Sequence, residues 1–125
     1  MGHIQSEKNR AVTYSVVIGR VSTEDNERIL ETLESLYNQE DDLSLEVLLA
    51  DRISDHVSQR IQSDYPDTKI IECSLDTDLP TMRTLATKQA VGEFVLVTED
   101  HCVPPHDWLK QFAQAFAEHP EASAI

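Results

Sequence analysis

Short runs of apolar residues alternate along the chain with longer stretches in which apolar positions recur every three or four residues. The apolar runs predict four strands, at residues 12–19, 45–50, 69–73 and 94–98. Each run is apolar at nearly every position, which is typical of strands that are covered on both faces, as in parallel sheets. We therefore expect a mainly parallel sheet in the interior of the protein.

The stretches between these runs carry apolar residues at helical spacing, and they predict four amphipathic helices. We expect these helices at residues 26–38, 54–64, 80–91 and 106–118. The resulting order, βαβαβαβα, predicts an α/β fold. Its simplest form is a three-layer sandwich with an open, mainly parallel sheet and right-handed crossovers.

Local signals indicate where the helices begin and which side chains face the sheet. Ser22 and Asp25 have the spacing of a capping box before the first helix, and Ser54 is positioned to cap the second. The third helix is expected to bury three apolar side chains, those of Met82, Leu85 and Ala86.

Length and composition bound the domain organisation. A chain of 125 residues is long enough for one domain with its own core. We expect that domain at residues 11–125, preceded by an N-terminal extension at residues 1–10. No apolar run approaches the ~20 residues of a membrane span and the first residues carry no export signal, so we expect a cytoplasmic protein. Cys73 and Cys102 are then expected to be reduced thiols.

The net charge of −13 changes the range of possible partners. Nucleic acids and anionic lipid surfaces are bound by basic faces, so we expect neither as a partner. A small anionic ligand would need local help from a divalent cation or an arginine, since opposite unit charges ~4 Å apart attract by about 4 kcal/mol at an effective dielectric constant of ~20.

Candidate chemistry lies where the predicted strands end, because the carboxyl ends of parallel strands share the edge at which open α/β proteins bind ligands. Glu99, Asp100 and His101 follow the fourth strand. In extended geometry Glu99 and His101 share one face, and Asp100 points to the other. Imidazole and carboxylate ligands suit a divalent cation whose shell is completed by water and phosphate oxygens. The alternative is an acidic turn that only ends the strand.

Two further residues belong to the same predicted edge. Asp51 closes the second strand, where its carboxylate can accept hydrogen bonds from a base or ribose, or form a turn or helix cap. Arg83, in the first turn of the third helix, can donate a forked pair of hydrogen bonds to a diphosphate, hold Asp51 or Glu99, or lie solvated at the surface. The chain has three glycines, too few to indicate a glycine-rich phosphate loop.

Five segments, taken in this order and spacing, resemble the family-two glycosyltransferases. The segments are residues 14–18, 28–39, 45–51, 82–94 and 99–109, and the resemblance extends from about Thr13 to the end of the sequence. It implies the GT-A fold, whose Rossmann-like half binds a nucleotide sugar. The first loop departs from the family, because Gly19-Arg20-Val21-Ser22 stands where Pro-Thr-Tyr-Asn is usual.

The resemblance also implies roles for the candidate residues. Asp51 would contact the base and ribose of the donor, Asp100 would also bind the donor, and Arg83 would lie near the diphosphate. Glu99 and His101 align with the two carboxylates of the family's Asp-x-Asp metal motif, which implies a divalent cation, Mn²⁺ or Mg²⁺. The implied partner is a UDP- or GDP-linked sugar.

We therefore expect the donor-binding part of a glycosyltransferase of the hexosyltransferase type, with the sequence ending before the acceptor-binding half of the family. Transfer would need that half and its general base, and no residue of this sequence is assigned as the base. The alternative is a catalytically inactive binding or oligomerisation module derived from the same fold. In that case apolar faces beyond the last helix would be covered by a second copy, giving a homo-oligomer.

Overall fold

The computed structural model describes residues 12–24, 27–40 and 44–121. Within these ranges four parallel strands, β1 Tyr14–Arg20, β2 Leu45–Asp51, β3 Lys69–Glu72 and β4 Phe94–Glu99, form one sheet in the order β3-β2-β1-β4. They alternate with the helices α1 Arg28–Tyr37, α2 His56–Asp64, α3 Leu79–Gln89 and α4 Trp108–Glu118. The predicted α/β class, the parallel sheet and the βαβαβαβα order are confirmed. The expected extension at residues 1–10 lies outside the described residues.

The core has two layers because the central strands are covered on both faces. On one face, Val16, Ile18, Val47 and Leu49 pack with apolar side chains from α1, α2 and α4. On the other face, the buried cluster contains Val17, Leu48 and Ala50 with two residues of α3, Met82 and Ala86. The predicted three-layer sandwich is therefore confirmed, with α3 on the side of the sheet opposite the other described helices.

The face of β4 on the α3 side departs from the expectation of full burial. Because α3 packs against β1 and β2, it leaves the edge strand partly open, and Val95 and Val97 are 41% and 51% exposed. Leu85, predicted to point inward, is 38% exposed for the same reason. The prediction for Leu85 was wrong because one helix cannot cover the full width of the sheet.

The predicted helix starts also need correction. α1 begins at Arg28 with Glu27 in the N-cap position and no side-chain cap. Ser22 instead accepts a hydrogen bond from the Glu24 N–H at 2.9 Å, and Asp25 lies outside the described residues. α2 begins at His56 and is capped by Asp55, not by Ser54.

Asp55 displaces Ser54 as the cap of α2 because its carboxylate forms a capping box with Ser58. Ser54 has a φ of 52° and turns the chain between β2 and the helix. Both cysteines are free, as predicted. Over the described ranges, no helix combines the length and the apolar character that a bilayer crossing requires.

Candidate functional site

A cleft of about 390 Å³ opens at the carboxyl ends of β1 and β4. Its lining residues come from the loop after β1, from α3 and from the end of β4, and they are Gly19, Val21, Ser22, Glu24, Leu79, Arg83, Glu99, Asp100 and His101. We call it the β1–β4 cleft. It brings together four of the five site residues predicted from the sequence, with Asp51 outside its lining.

Gly19 allows α3 to approach the end of β1. A Cβ atom added at Gly19 would lie 2.5 Å from Cδ1 of Leu79, so a side chain at this position would displace Leu79. α3 begins here because Asp78 accepts a hydrogen bond from the Thr81 N–H at 2.8 Å. Hydrogen bonds from the side chain and from the backbone N–H of Thr81 lower the pKa of Asp78. One turn further along the helix, Arg83 lies in the wall of the cleft.

Arg83, which lines the cleft, has one side-chain donor that no described protein group accepts. Its Nε atom is buried and has no hydrogen-bond partner among the residues that the structure describes. A buried N–H without an acceptor costs about 1–3 kcal/mol, so such a group is normally satisfied by protein, water or ligand. Arg83 is partly buried, and its contact with a diphosphate stays a prediction.

His101 lies between two carboxylates on the opposite side of the cleft. Its Nε2 is 2.9 Å from Oε2 of Glu99, and its Nδ1 is 3.2 Å from Oδ1 of Asp100. The His101 and Glu99 side chains are about half exposed, whereas Asp100 is 20% exposed. Glu99 and His101 are therefore in contact, but residues 100 and 101 form a turn and not the expected extended geometry. The prediction that Asp100 points to the other face was wrong, because the turn brings its carboxylate to the same ring.

The turn that carries these residues is held against α1. The Cys102 N–H donates to the Glu99 carbonyl at 3.2 Å, and the Thr32 hydroxyl lies 3.3 Å from the Asp100 carbonyl and 3.2 Å from that of Cys102. Ser35, one turn along the helix, donates to the Pro104 carbonyl. The backbone of the acidic turn is therefore attached to α1, while the side chains of Glu99, Asp100 and His101 line the cleft.

Asp51 belongs to a different, buried group of charges. Arg20 and Asp51 end β1 and β2 in register and are 1% and 0% exposed. Arg20 Nη1 lies 3.4 Å from Asp51 Oδ1 and 2.9 Å from Asp55 Oδ1, and it donates to the Ser58 hydroxyl at 3.1 Å. Ser58 in turn donates to Asp51. We call Arg20, Asp51, Asp55 and Ser58 the Arg20 cluster.

The Asp51 carboxylate is already occupied within the protein. Besides Arg20 and Ser58, it accepts the backbone N–H of Ile53 at 2.9 Å. It borders a separate cavity of about 140 Å³ on the α2 side of the sheet edge. The turn-forming alternative for Asp51 is thus seen directly, and its contact with a base or ribose stays a prediction.

Sequence reasoning missed two residues at this edge. Arg20 was noted as a departure in the first loop, but its burial against Asp51 depends on the pairing of two distant strands. Cys102 was considered as a thiol, not as a ligand, although it directly follows His101. Glu99, His101 and Cys102 offer ligand atoms that all lie within 4.8 Å of one another, so among the residues that the structure describes these three form a group that could hold a metal ion.

Comparisons with known proteins agree with the fold. S. aureus TarS 1-349 has a similar structure, with 28% sequence identity and a TM-score of 0.69 over 87% of this chain and 33% of that one. Its complex with UDP-GlcNAc matches at 28% identity and a TM-score of 0.68 over 87% of this chain and 32% of that one. A search of curated protein sequences found no match.

A more distant structure shares the fold. The mannosyltransferase PcManGT from Pyrobaculum calidifontis, in complex with GDP-Man and Mn²⁺, is 22% identical and has a TM-score of 0.66 over 83% of this chain and 32% of that one. This chain therefore spans about a third of the length of these structures. The sequence model of Glycosyl transferase family 2 matches residues 17–125, and with this match the chain belongs to glycosyltransferase family 2.

Proposed function

We propose that this chain binds the donor of a glycosyl transfer, a UDP- or GDP-linked sugar, in the β1–β4 cleft. The observation that carries the proposal is the buried, unpartnered Nε of Arg83 in the cleft wall. A diphosphate offers acceptor oxygens for such a donor, and arginine is the side chain whose planar fork matches phosphate geometry. Because the net charge of −13 repels anions, an anionic ligand needs a local positive group such as Arg83.

The Glu99 and His101 pair is proposed to hold a divalent cation, Mn²⁺ or Mg²⁺, on the other side of the same cleft. The carboxylate oxygen and imidazole nitrogen lie 2.9 Å apart; the carboxylate suits Mn²⁺ and Mg²⁺, and the imidazole suits borderline divalent ions. A bound cation would supply Lewis-acid stabilisation of the negative charge on a leaving diphosphate. The Mn²⁺ in the mannosyltransferase complex supports this proposal by analogy.

The remaining roles follow from the family. Asp100, 3.2 Å from Nδ1 of His101, is proposed to orient that ring beside the donor, and Asp51 is proposed to contact the base or ribose. We propose residues 11–125 as the donor-binding domain. Because TarS and PcManGT are about three times as long as this chain, hexosyl transfer itself, and the general base that it requires, are proposed for a protein that includes the acceptor-binding half.

Calorimetric titration with UDP and GDP tests donor binding. We expect binding in the presence of Mn²⁺ that weakens on addition of a chelator. Arg83→Gln removes the forked donor and is expected to weaken nucleotide binding by roughly tenfold or more, the loss of one hydrogen bond to a charged group. Arg83→Lys, which keeps the charge without the fork, is expected to lie between the two.

Arg60→Gln is the matched control, because Arg60 is 58% exposed on α2 and lies outside the cleft lining. Equal binding by the wild type and Arg83→Gln would contradict the proposed diphosphate contact. Binding that is indifferent to chelator and to His101→Ala would contradict the proposed cation site.

The inactive module remains the second candidate because of one observation, the open face of β4. Val95 and Val97 are exposed side by side along an edge strand, and surfaces of this kind are often covered by a second chain. The same titration separates the candidates. If neither nucleotide binds with any metal while sedimentation gives a stable dimer, the module is favoured.

A further inference from the structure

The Cys102 thiol adds a third kind of ligand to the corner formed by Glu99 and His101. The carboxylate oxygen, ring nitrogen and sulfur lie within 4.8 Å of one another. Ligand atoms around a four-coordinate Zn²⁺ lie about 3.4–3.6 Å apart, given Zn–N and Zn–S distances near 2.1 and 2.3 Å. The three side chains are exposed, so rotation about their own bonds can bring the atoms to that spacing.

The backbone under these ligands is already fixed. The Cys102 N–H donates to the Glu99 carbonyl, which closes the turn, and the Thr32 hydroxyl of α1 lies within hydrogen-bond distance of the Asp100 and Cys102 carbonyls. Preorganised backbones with mobile side chains can close around an ion without refolding. Rotation of the three side chains is therefore enough to bring their ligand atoms around one ion.

Asp100 is positioned to orient the His101 ring for metal binding through Nε2. A neutral imidazole carries one N–H, so it can donate either to Asp100 through Nδ1 or to Glu99 through Nε2, but not to both. If Nδ1 donates to Asp100 at 3.2 Å, Nε2 presents a lone pair towards the Glu99 oxygen 2.9 Å away. A cation between these two atoms replaces that repulsion, and Asp100 then orients the ring as carboxylates do behind metal-bound histidines.

The ligand set decides which ion fits. Mg²⁺ and Mn²⁺ prefer oxygen ligands, whereas Zn²⁺ and Co²⁺ accept mixed carboxylate, imidazole and thiolate ligands. We propose that Glu99, His101 and Cys102 form a three-ligand site that binds Zn²⁺ or Co²⁺ through the Cys102 thiolate in preference to Mn²⁺ and Mg²⁺. The fourth position stays open for a water or a diphosphate oxygen. The role of this metal site in the cleft rests on the proposed function, whereas its choice of ion depends only on the three ligands.

Cobalt spectroscopy tests the thiolate ligand directly, because a cysteine thiolate gives Co²⁺ an intense near-ultraviolet charge-transfer band. We expect the band in the wild-type protein and its loss in Cys102→Ser. In calorimetric titrations with Zn²⁺ alone, Cys102→Ser is expected to bind ~10-fold or more weakly, at least the loss seen when an outer partner of a metal ligand is removed. Binding of Mn²⁺ alone is expected to change much less.

Cys73→Ser is the matched control. The Cys73 thiol is half-buried at the end of β3, and burial together with the nearby Asp51 charge raises its pKa. We expect Cys73→Ser to keep the cobalt band and the Zn²⁺ affinity. A band that persists in Cys102→Ser, a band lost in Cys73→Ser, or equal affinities of the wild type for Zn²⁺ and Mn²⁺ would overturn the proposal.

The same proteins distinguish failure of this site from failure of donor binding. UDP binding with Mn²⁺ in both the wild type and Cys102→Ser, without any cobalt band, would overturn the thiolate site and leave the proposed function standing. A cobalt band that depends on Cys102, together with no binding of UDP or GDP under any metal, would support the metal site and overturn the proposed function.

Discussion

The Arg20 cluster and the β1–β4 cleft lie at the same edge of the sheet but treat their charged groups in opposite ways. In the Arg20 cluster every charge faces an internal partner, and the arginine and Asp51 are almost fully buried. In the cleft, His101 and Glu99 are half exposed, and Arg83 keeps a buried donor without an acceptor. One group of charges is satisfied within the protein, and the other leaves a donor of Arg83 without an acceptor among the described residues.

The difference separates two uses of polar residues at a strand end. A buried ion pair that is fully hydrogen-bonded contributes little net stability, yet removing one partner is strongly destabilising because the other charge stays buried. Exposed charges contribute little to stability and are free to bind ligands. Substitutions should therefore affect stability at the first group and binding at the second.

Arg20→Ala is expected to have the largest effect on stability. It leaves the carboxylates of Asp51 and Asp55 without their cation, and removal of one partner of a buried pair costs ~3–5 kcal/mol. Urea unfolding followed by circular dichroism measures the change in the free energy of unfolding. Arg60→Ala, at an exposed site, is expected to cost less than about 1 kcal/mol. Similar losses in the two variants would break the distinction between the two groups.

Glu46 is a second buried acid, and it lies at the opposite end of β2 from the Arg20 cluster. Glu46 is 7% exposed and accepts hydrogen bonds from Lys69 at 2.7 Å, Ser15 at 2.5 Å and the Val91 N–H at 2.7 Å. Burial alone would raise the pKa of Glu46, but these hydrogen bonds outweigh it and lower the pKa below its ordinary value. Like the Arg20 cluster, this acid is satisfied from within.

Glu46→Gln is therefore expected to cost about 1–2 kcal/mol at neutral pH, because an amide cannot accept from all three donors. A carboxyl group with a lowered folded pKa stabilises the protein above its unfolded pKa of about 4.3, and that stabilisation is lost as the pH falls through the lower, folded value. The difference in unfolding free energy between wild type and Glu46→Gln should shrink below about pH 4. Glu93→Gln, at an exposed position, should behave like the wild type throughout.

His101→Ala is expected to have the smallest effect on stability, within about 0.5 kcal/mol of wild type, as is usual for exposed positions. Its ring is 55% exposed, and the turn is held by backbone contacts that the substitution leaves intact. Metal binding by the same variant is expected to fall by at least ~10-fold. A large loss of stability in His101→Ala would show that the cleft residues, like the Arg20 cluster, stabilise the fold.

The periodic parts of the fold follow from the sequence because local pattern and tertiary structure agree there. The apolar runs of β1 and β2 are buried at every residue except Leu45, which is half-buried, as parallel central strands require. α2 begins two residues later than predicted, at His56, because Asp55 and not Ser54 is its cap, although both residues are capable caps. Asp55, which caps α2, also pairs with Arg20 of β1. Local sequence does not show this contact, because the two residues are far apart along the chain.

The site was predictable only in part for a similar reason. The order of the strands brings Glu99 and His101 to the ligand edge, and their spacing places them on one face. The separation of Asp51 from them depends on Arg20 and Asp51 ending two neighbouring strands in register, and register is set by the whole sheet. The lack of a partner for the Arg83 Nε atom depends on the positions of all neighbouring side chains, and no sequence motif predicts these positions.

The Thr32 hydroxyl gives the turn at residues 99–102 alternative hydrogen bonds to α1. It carries one proton and lies 3.2–3.3 Å from three carbonyl oxygens, those of Arg28, Asp100 and Cys102, so it can donate to one of them at a time. Two of the three acceptors belong to the turn, so the hydroxyl can donate to either Asp100 or Cys102 and still tie the turn to α1. The attachment of the turn to the helix therefore does not depend on one hydrogen bond alone.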